Sequence, residues 1–181
     1  MLRTVMIGLL VCLSPLVISA VKADGSVRII DHPLVERSGE AMRFRDDVIG
    51  DHRVVVGAIY TGCSTICPIT TAIFQNLEAA LDDRGMNDVR LVSLTLDPAN
   101  DTLDALTEAA DMADAGPNWL WLTGDKPLLD EVLYGLGAYS RDIVEHPPVF
   151  IVGNGETGDY RQLFGFPAID EFIAELDELD G

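Results

Sequence analysis

Cysteine is scarce in this chain, with three in 181 residues, which excludes a small scaffold stapled by disulfides. Bases are scarce as well. Twelve Lys+Arg stand against 30 Asp+Glu, a net charge of −18, so the chain lacks the basic surface that nucleic acids or anionic lipids require. Charged residues of both signs make up only 23%, beside 48% hydrophobic residues, which excludes an intrinsically disordered chain and a coiled coil. There is no internal repeat, and the longest apolar run, Val5 to Ala20, is 16 residues broken by Gly8 and Pro15. A bilayer span wants roughly 20. What remains is one globular domain large enough to bury a core of its own. Its acidity suits a cationic ligand, or serves solubility alone.

Residues 1–23 read as a segment outside the fold. Arg3, the apolar run, and then Lys22 and Asp24 have the layout of a secretory signal, with Val21 and Ala23 as small residues before a cleavage point; an uncleaved N-terminal membrane anchor is the alternative. Either way the globular part is expected to be exported. Removing 1–23 takes away Cys12, Arg3 and Lys22, leaving 10 bases against 30 acids, a charge of −20, and two cysteines, Cys63 and Cys67.

Residues 24–40 are expected to form an extended lead-in to a domain over 41–181, in which Met42 to Ile49 alternates apolar and polar residues like a half-buried strand or hairpin arm. Arg53 to Tyr60 and Val89 to Leu96 read as buried strands, and Ile69 to Leu81, closed by Gly85, as a helix between them. A helix introduced by Asp101-Thr102, a strand over Trp119 to Thr123 and a helix with Pro127 near its start continue the alternation. Pro148 to Val152 and Tyr160 to Phe164 then form a hairpin, and Asp170 to Leu179 a closing amphipathic helix. This order predicts an α/β protein with a mixed sheet covered by helices on both faces, a thioredoxin-like architecture.

The chemistry gathers at Tyr60-Thr61-Gly62-Cys63-Ser64-Thr65-Ile66-Cys67-Pro68, which sets two thiols at the carboxyl end of a buried strand, just before a helix. Ligands collect at that edge of open α/β sheets. Pro68 places Cys67 beside the helix start, where the positive end of the helix favours thiolate, the form that attacks disulfides and binds metal. Three intervening residues still permit a Cys63–Cys67 disulfide, and they also leave room for both sulfurs to face a soft ion such as Cu(I), with an imidazole completing the site. An inert stabilising bridge is the plainer reading, although a bridge closing so short a loop removes little chain entropy. Of the three histidines, His32 and His52 sit in polar segments and read as surface residues. His146 ends a polar loop before Pro147-Pro148 and the next strand. In this architecture that loop lies against the cysteine turn, often through a cis proline, so both prolines are candidates for that isomer. Asp97-Pro98 ends the second buried strand at the same edge, as turn chemistry or as a support for the site.

With these residues in place, the chain resembles the Sco/SenC family of copper-binding, thioredoxin-like proteins that assist assembly of the copper centre of cytochrome c oxidase. The resemblance runs from about Ala41 to Leu179 and rests chiefly on Tyr60-Thr61 followed by Cys63-x-x-x-Cys67-Pro68. Val92 to Pro98, continuing to Asp101-Thr102, and Trp119 to Gly124 resemble further family segments. Ser64-Thr65 stand where many members carry Pro-Asp, and Glu145 and Pro147-Pro148 flank His146 where the family has Asp before its histidine and Ser or Thr after. The resemblance implies copper, Cu(I) or Cu(II), held by Cys63, Cys67 and His146. It implies a periplasmic metallochaperone rather than an enzyme, acting as a monomer, that delivers copper to an acceptor such as cytochrome c oxidase subunit II and meets another copper chaperone or a thiol reductant. The alternative is a thiol–disulfide oxidoreductase in which Cys63 attacks and Cys67 resolves, keeping target cysteines reduced. A peroxidase wants an arginine beside the attacking thiolate, and none adjoins Cys63.

Overall fold

The lead-in joins the sheet: in the computed structural model, which describes residues 27–144 and 146–179, Pro33–Glu36 (β1) pairs antiparallel with Ala41–Arg43 (β2). The expected signal or anchor over residues 1–23 lies outside the described residues, and so does Glu145.

Met42 to Ile49 departs from the expected strand. Pairing stops at Arg43, and Phe44–Ile49 winds into a wide π-helical turn that buries Phe44, Val48 and Ile49. Spacings of four and five put those three side chains on one side of a helical turn, whereas a strand would split Phe44 and Ile49 between opposite faces. Two carboxylates hold the start of the turn: Asp47 accepts from the Arg43 N–H at 2.7 Å and Asp31 from the Arg45 N–H at 3.0 Å.

The remaining elements follow the expected alternation. They are Arg53–Ile59 (β3), Cys67–Arg84 (α1), Val89–Thr95 (β4), Leu103–Met112 (α2), Trp119–Thr123 (β5), Lys126–Leu136 (α3), Val149–Asn154 (β6), Asp159–Phe164 (β7) and Ile169–Glu178 (α4). The seven strands lie in the order β2-β1-β5-β4-β3-β6-β7. β3, β4 and β5 are parallel, joined by α1 and α2 as crossovers, and β1 and β6 pair antiparallel on either side of them. Gly85 ends α1 in the left-handed conformation that glycine tolerates.

Strands buried on both faces need apolar partners on both, and two core clusters supply them. Phe74 and Leu77 of α1, Leu106 of α2 and Phe172 and Leu176 of α4 pack on one face. Leu129, Val132 and Leu136 of α3 and the turn residues Phe44 and Val48 pack on the other. Against the first face α1 comes close to the sheet at Gly57, where an added Cβ would meet Phe74 Cζ at 3.0 Å and Phe150 Cδ1 at 3.3 Å. The result is the expected thioredoxin-like fold, with the segments that leave β3 and β4 emerging side by side at one sheet edge. Among the described residues no helix is long and apolar enough to cross a membrane.

Candidate functional site

Cys67 is the first residue of α1 and is only 5% exposed, while Cys63 stands half-buried on the loop before it; both are free thiols. The loop curls so that the Cys67 backbone N–H donates to Cys63 Sγ at 3.2 Å, and the Cys63 N–H donates to the Tyr60 carbonyl at 3.2 Å. This geometry drives the two sulfurs apart in acidity. Burial alone would push the Cys63 thiol up, but hydrogen bonds from the Cys67 thiol and from the backbone N–H groups of Cys67, Thr65 and Ile66 outweigh it and bring Cys63 down to about 6. Cys67 is pushed up to about 12 by burial, then by donating to Cys63 and by the charges of Cys63 and Asp101. At neutral pH the pair is one thiolate beside one thiol.

His146 is buried, 3% exposed, at the foot of the loop that leads into β6. Its Nδ1 lies 2.7 Å from the Ile143 carbonyl oxygen, which can only accept, so Nδ1 carries the proton and the lone pair of the neutral ring is on Nε2. The imidazole meets the edge of Tyr60, with ring centroids 6.3 Å apart. Tyr60 in turn packs beside Cys63, and its phenol is pushed up by burial, then by its hydrogen bond to Cys63 and by the charges of Cys63, Cys67 and Asp142. The structure thus brings Cys63 and Cys67 together and connects them to His146 through Tyr60. Among the described residues no three His, Cys, Asp or Glu side chains gather closely enough to hold a metal ion. The hydrogen bond to Ile143 and the packing against Tyr60 hold the ring where it is.

No cis peptide bond is present among the described residues, so of the two candidates for that isomer, Pro147 and Pro148, neither adopts it. The Pro148 carbonyl accepts from the Gly165 N–H at 3.0 Å, carrying the β6–β7 pairing up to the prolines. His32 and His52 lie away from the cysteines, as expected of surface residues: His32 contacts Glu131 at 2.7 Å and His52 contacts Arg90 at 2.8 Å.

Asp97 does what turn chemistry asks. It accepts from the Asn100 side chain at 2.7 Å, and its carbonyl accepts from the Asp101 N–H at 2.8 Å. The carboxylate that reaches the cysteine loop is Asp101, 1% exposed, which accepts from the Thr61 N–H at 3.0 Å, from the Thr61 hydroxyl at 2.5 Å and from the Thr95 hydroxyl. Thr102 caps α2 by accepting from the Ala105 N–H at 3.2 Å, which leaves Asp101 free to turn inward. Reading Asp101-Thr102 together as a helix start missed this division. The signal was there in Thr95, the last residue of β4, and Thr61, two residues past β3, polar residues at the carboxyl ends of neighbouring strands and wanting a partner.

A family model described as SCO1/SenC matches residues 24–152. The chain belongs to the SCO1/SenC family. An SCO1 protein homolog of Bacillus subtilis is 40% identical over 67 residues, 36% of this chain and 34% of the relative, so the match spans about a third of that protein's length. Among solved structures, BsSco, described as having a disulfide switch and as a member of the Sco family of cytochrome c oxidase assembly proteins, is 22% identical. It superposes with a TM-score of 0.72 over 88% of this chain and 96% of its own. Yeast Sco1 with copper bound is 18% identical, with a TM-score of 0.69 over 84% of this chain and 91% of its own.

Proposed function

We propose that this Sco protein is an exported copper-binding assembly factor that holds copper through Cys63 and Cys67, with His146 as third ligand to Cu(II), and passes it to the copper centre of cytochrome c oxidase. The observation that carries this reading is the thiolate–thiol pair at the start of α1. Cys63 is already ionised near neutral pH, Cys67 lies against it, and two soft sulfurs select Cu(I). Family membership and the copper-bound yeast relative support it. His146 offers Nε2 in the right tautomer, with Nδ1 secured by a backbone carbonyl, as is usual for metal-binding histidines. Uniting the three ligands with that hydrogen bond kept requires the loop carrying Ile143 and His146 to move as a unit past Tyr60. On this reading the acceptor is a copper-accepting protein such as subunit II of the oxidase, and residues 1–23, read as a signal or anchor, would send the domain to the periplasm, as a soluble monomer or tethered to the inner membrane.

A second reading has one observation of its own. The gap in acidity between the sulfurs is what a thiol–disulfide oxidoreductase uses: Cys63 thiolate attacks a target disulfide and expels one target thiolate, then Cys67, losing its proton, attacks Cys63 and releases the other. The chain's disulfide carries away the two electrons' worth of oxidation, and the target leaves as a dithiol.

The deciding experiment is metal analysis with visible and spin-resonance spectra on the reduced protein, wild type beside Cys63→Ala and His146→Ala. The copper reading expects one Cu per chain and near-complete loss of Cu(I) in Cys63→Ala. It expects His146→Ala to weaken Cu(II) far more than Cu(I). A wild-type protein that retains no copper but turns over a disulfide substrate supports the second reading instead.

A further inference from the structure

Beside the cysteines, α1 and α2 part to form an open cavity of about 290 Å³. Cys63, Cys67 and Thr71 line it from the loop and α1, and Ala109 and Met112 from α2. Among the lining residues Met112 carries the third sulfur, and no Lys, Arg or His is present. Met112 is the last residue of α2 and is 74% exposed, so its thioether is free of core packing and can change rotamer at little cost. The surroundings suit a cation: two cysteine sulfurs line the cavity, and the buried Asp101 carboxylate accepts from the N–H of Thr61, another lining residue, at 3.0 Å. A thioether binds Cu(I) and has little affinity for Cu(II), whereas an imidazole suits both. His146, by contrast, is buried against Tyr60 and tied to Ile143.

We propose that Met112 is a third, thioether ligand to Cu(I), so that the monovalent ion sits in an all-sulfur site of Cys63, Cys67 and Met112 within the α1–α2 cavity. This rests on the copper reading above and adds to it a site specific to one oxidation state. Binding releases the Cys67 proton to solvent; Met112 joins as a neutral donor, breaking no bond and releasing no proton. Because Met112 hangs at the solvent edge of the cavity, it is also the ligand an incoming acceptor thiolate displaces first.

The test uses the full reduced chain labelled with selenomethionine and loaded anaerobically with one equivalent of Cu(I), measured by X-ray absorption. The expected result is a copper–selenium shell beside two copper–sulfur neighbours, absent in labelled Met112→Leu. In competition with a Cu(I) chelator, Met112→Leu should bind about tenfold more weakly, the loss of one soft neutral donor, while its Cu(II) spectra match wild type. Cu(I) bound by the wild type with no selenium neighbour, or with equal affinity in Met112→Leu, overturns the Met112 site and leaves the copper reading standing. A wild type that retains no Cu(I) overturns both.

Discussion

The backbone N–H of Cys67 points at the sulfur of Cys63 from 3.2 Å, and that single contact orders the chemistry of the pair. It solvates a negative charge on Cys63 with a donor fixed by the first turn of α1, while Cys67 is left buried with nothing comparable aimed at its own sulfur except the Tyr60 backbone. The outer cysteine is therefore the more acidic of the two and the inner one keeps its proton.

Alkylation of the reduced protein should show this directly. With iodoacetamide, the rate at Cys63 should rise with a midpoint near pH 6, and Cys67 should stay unmodified through pH 9 as long as the protein is folded. In Cys67→Ala the side-chain donor is gone but the backbone N–H remains, so the Cys63 midpoint should move up, only part of the way to the ordinary thiol value. Mass spectrometry of the labelled peptides assigns the site. A Cys63 midpoint at the ordinary thiol value in wild type would contradict the arrangement.

Asp101 and Asp97 should separate cleanly in a stability comparison. Asp101→Ala strips the acceptor from the Thr61 N–H and hydroxyl and from the buried Thr95 hydroxyl, an expected loss of about 3 kcal/mol by the scale of hydrogen bonds to a charged group. Asp97→Ala removes a turn contact to Asn100 near the surface and should cost about 1 kcal/mol or less. Urea unfolding at neutral pH measures both. Removing the Asp101 charge should also lower the pH at which Cys67 ionises, since the repulsion of that charge helps to hold it up. Asp97→Ala should leave it unmoved. Equal destabilisation by the two variants would mean that Asp101 does not brace the cysteine loop.

Much of this was legible in the residues because burial writes itself into strands. Val54, Val55, Val56 and Ile59, or Leu91, Val92 and Leu94, can be neither edge strand nor amphipathic helix, and two cysteines after one of them mark the sheet edge. Phe44 to Ile49 was harder, because Met42-Arg43-Phe44-Arg45 alternates as a strand does, and only the packing shows that Phe44, Val48 and Ile49 share one pocket of core. The choice between Asp97 and Asp101 was beyond a local reading. Both sit in one turn, and only the partner of Thr61, 40 residues away, distinguishes them. The proline isomer depends on how a loop meets a neighbouring strand, which periodicity does not encode.

The last expectation concerns stability against pH, where the two sulfurs pull in opposite directions. Cys63 in the folded chain ionises near 6, below the ordinary thiol value of 9.0, so between those values the unfolded chain binds more protons than the folded one. Its contribution is complete above pH 9 and disappears as the pH falls through 6. Cys67 ionises only near 12, so above pH 9 the unfolded chain sheds a proton that the folded chain keeps, and stability falls with rising pH. The reduced protein should accordingly gain stability from pH 6 to about 9 and lose it beyond, after the carboxylates have finished titrating. Cys63→Ser should flatten the rise and keep the fall, and Cys67→Ser should keep the rise and reduce the fall to what the raised phenols of Tyr60 and Tyr160 contribute. Denaturant unfolding across this range in the presence of a metal-free reductant checks the slopes, and a rise that survives in Cys63→Ser would place its origin in a group other than this thiolate.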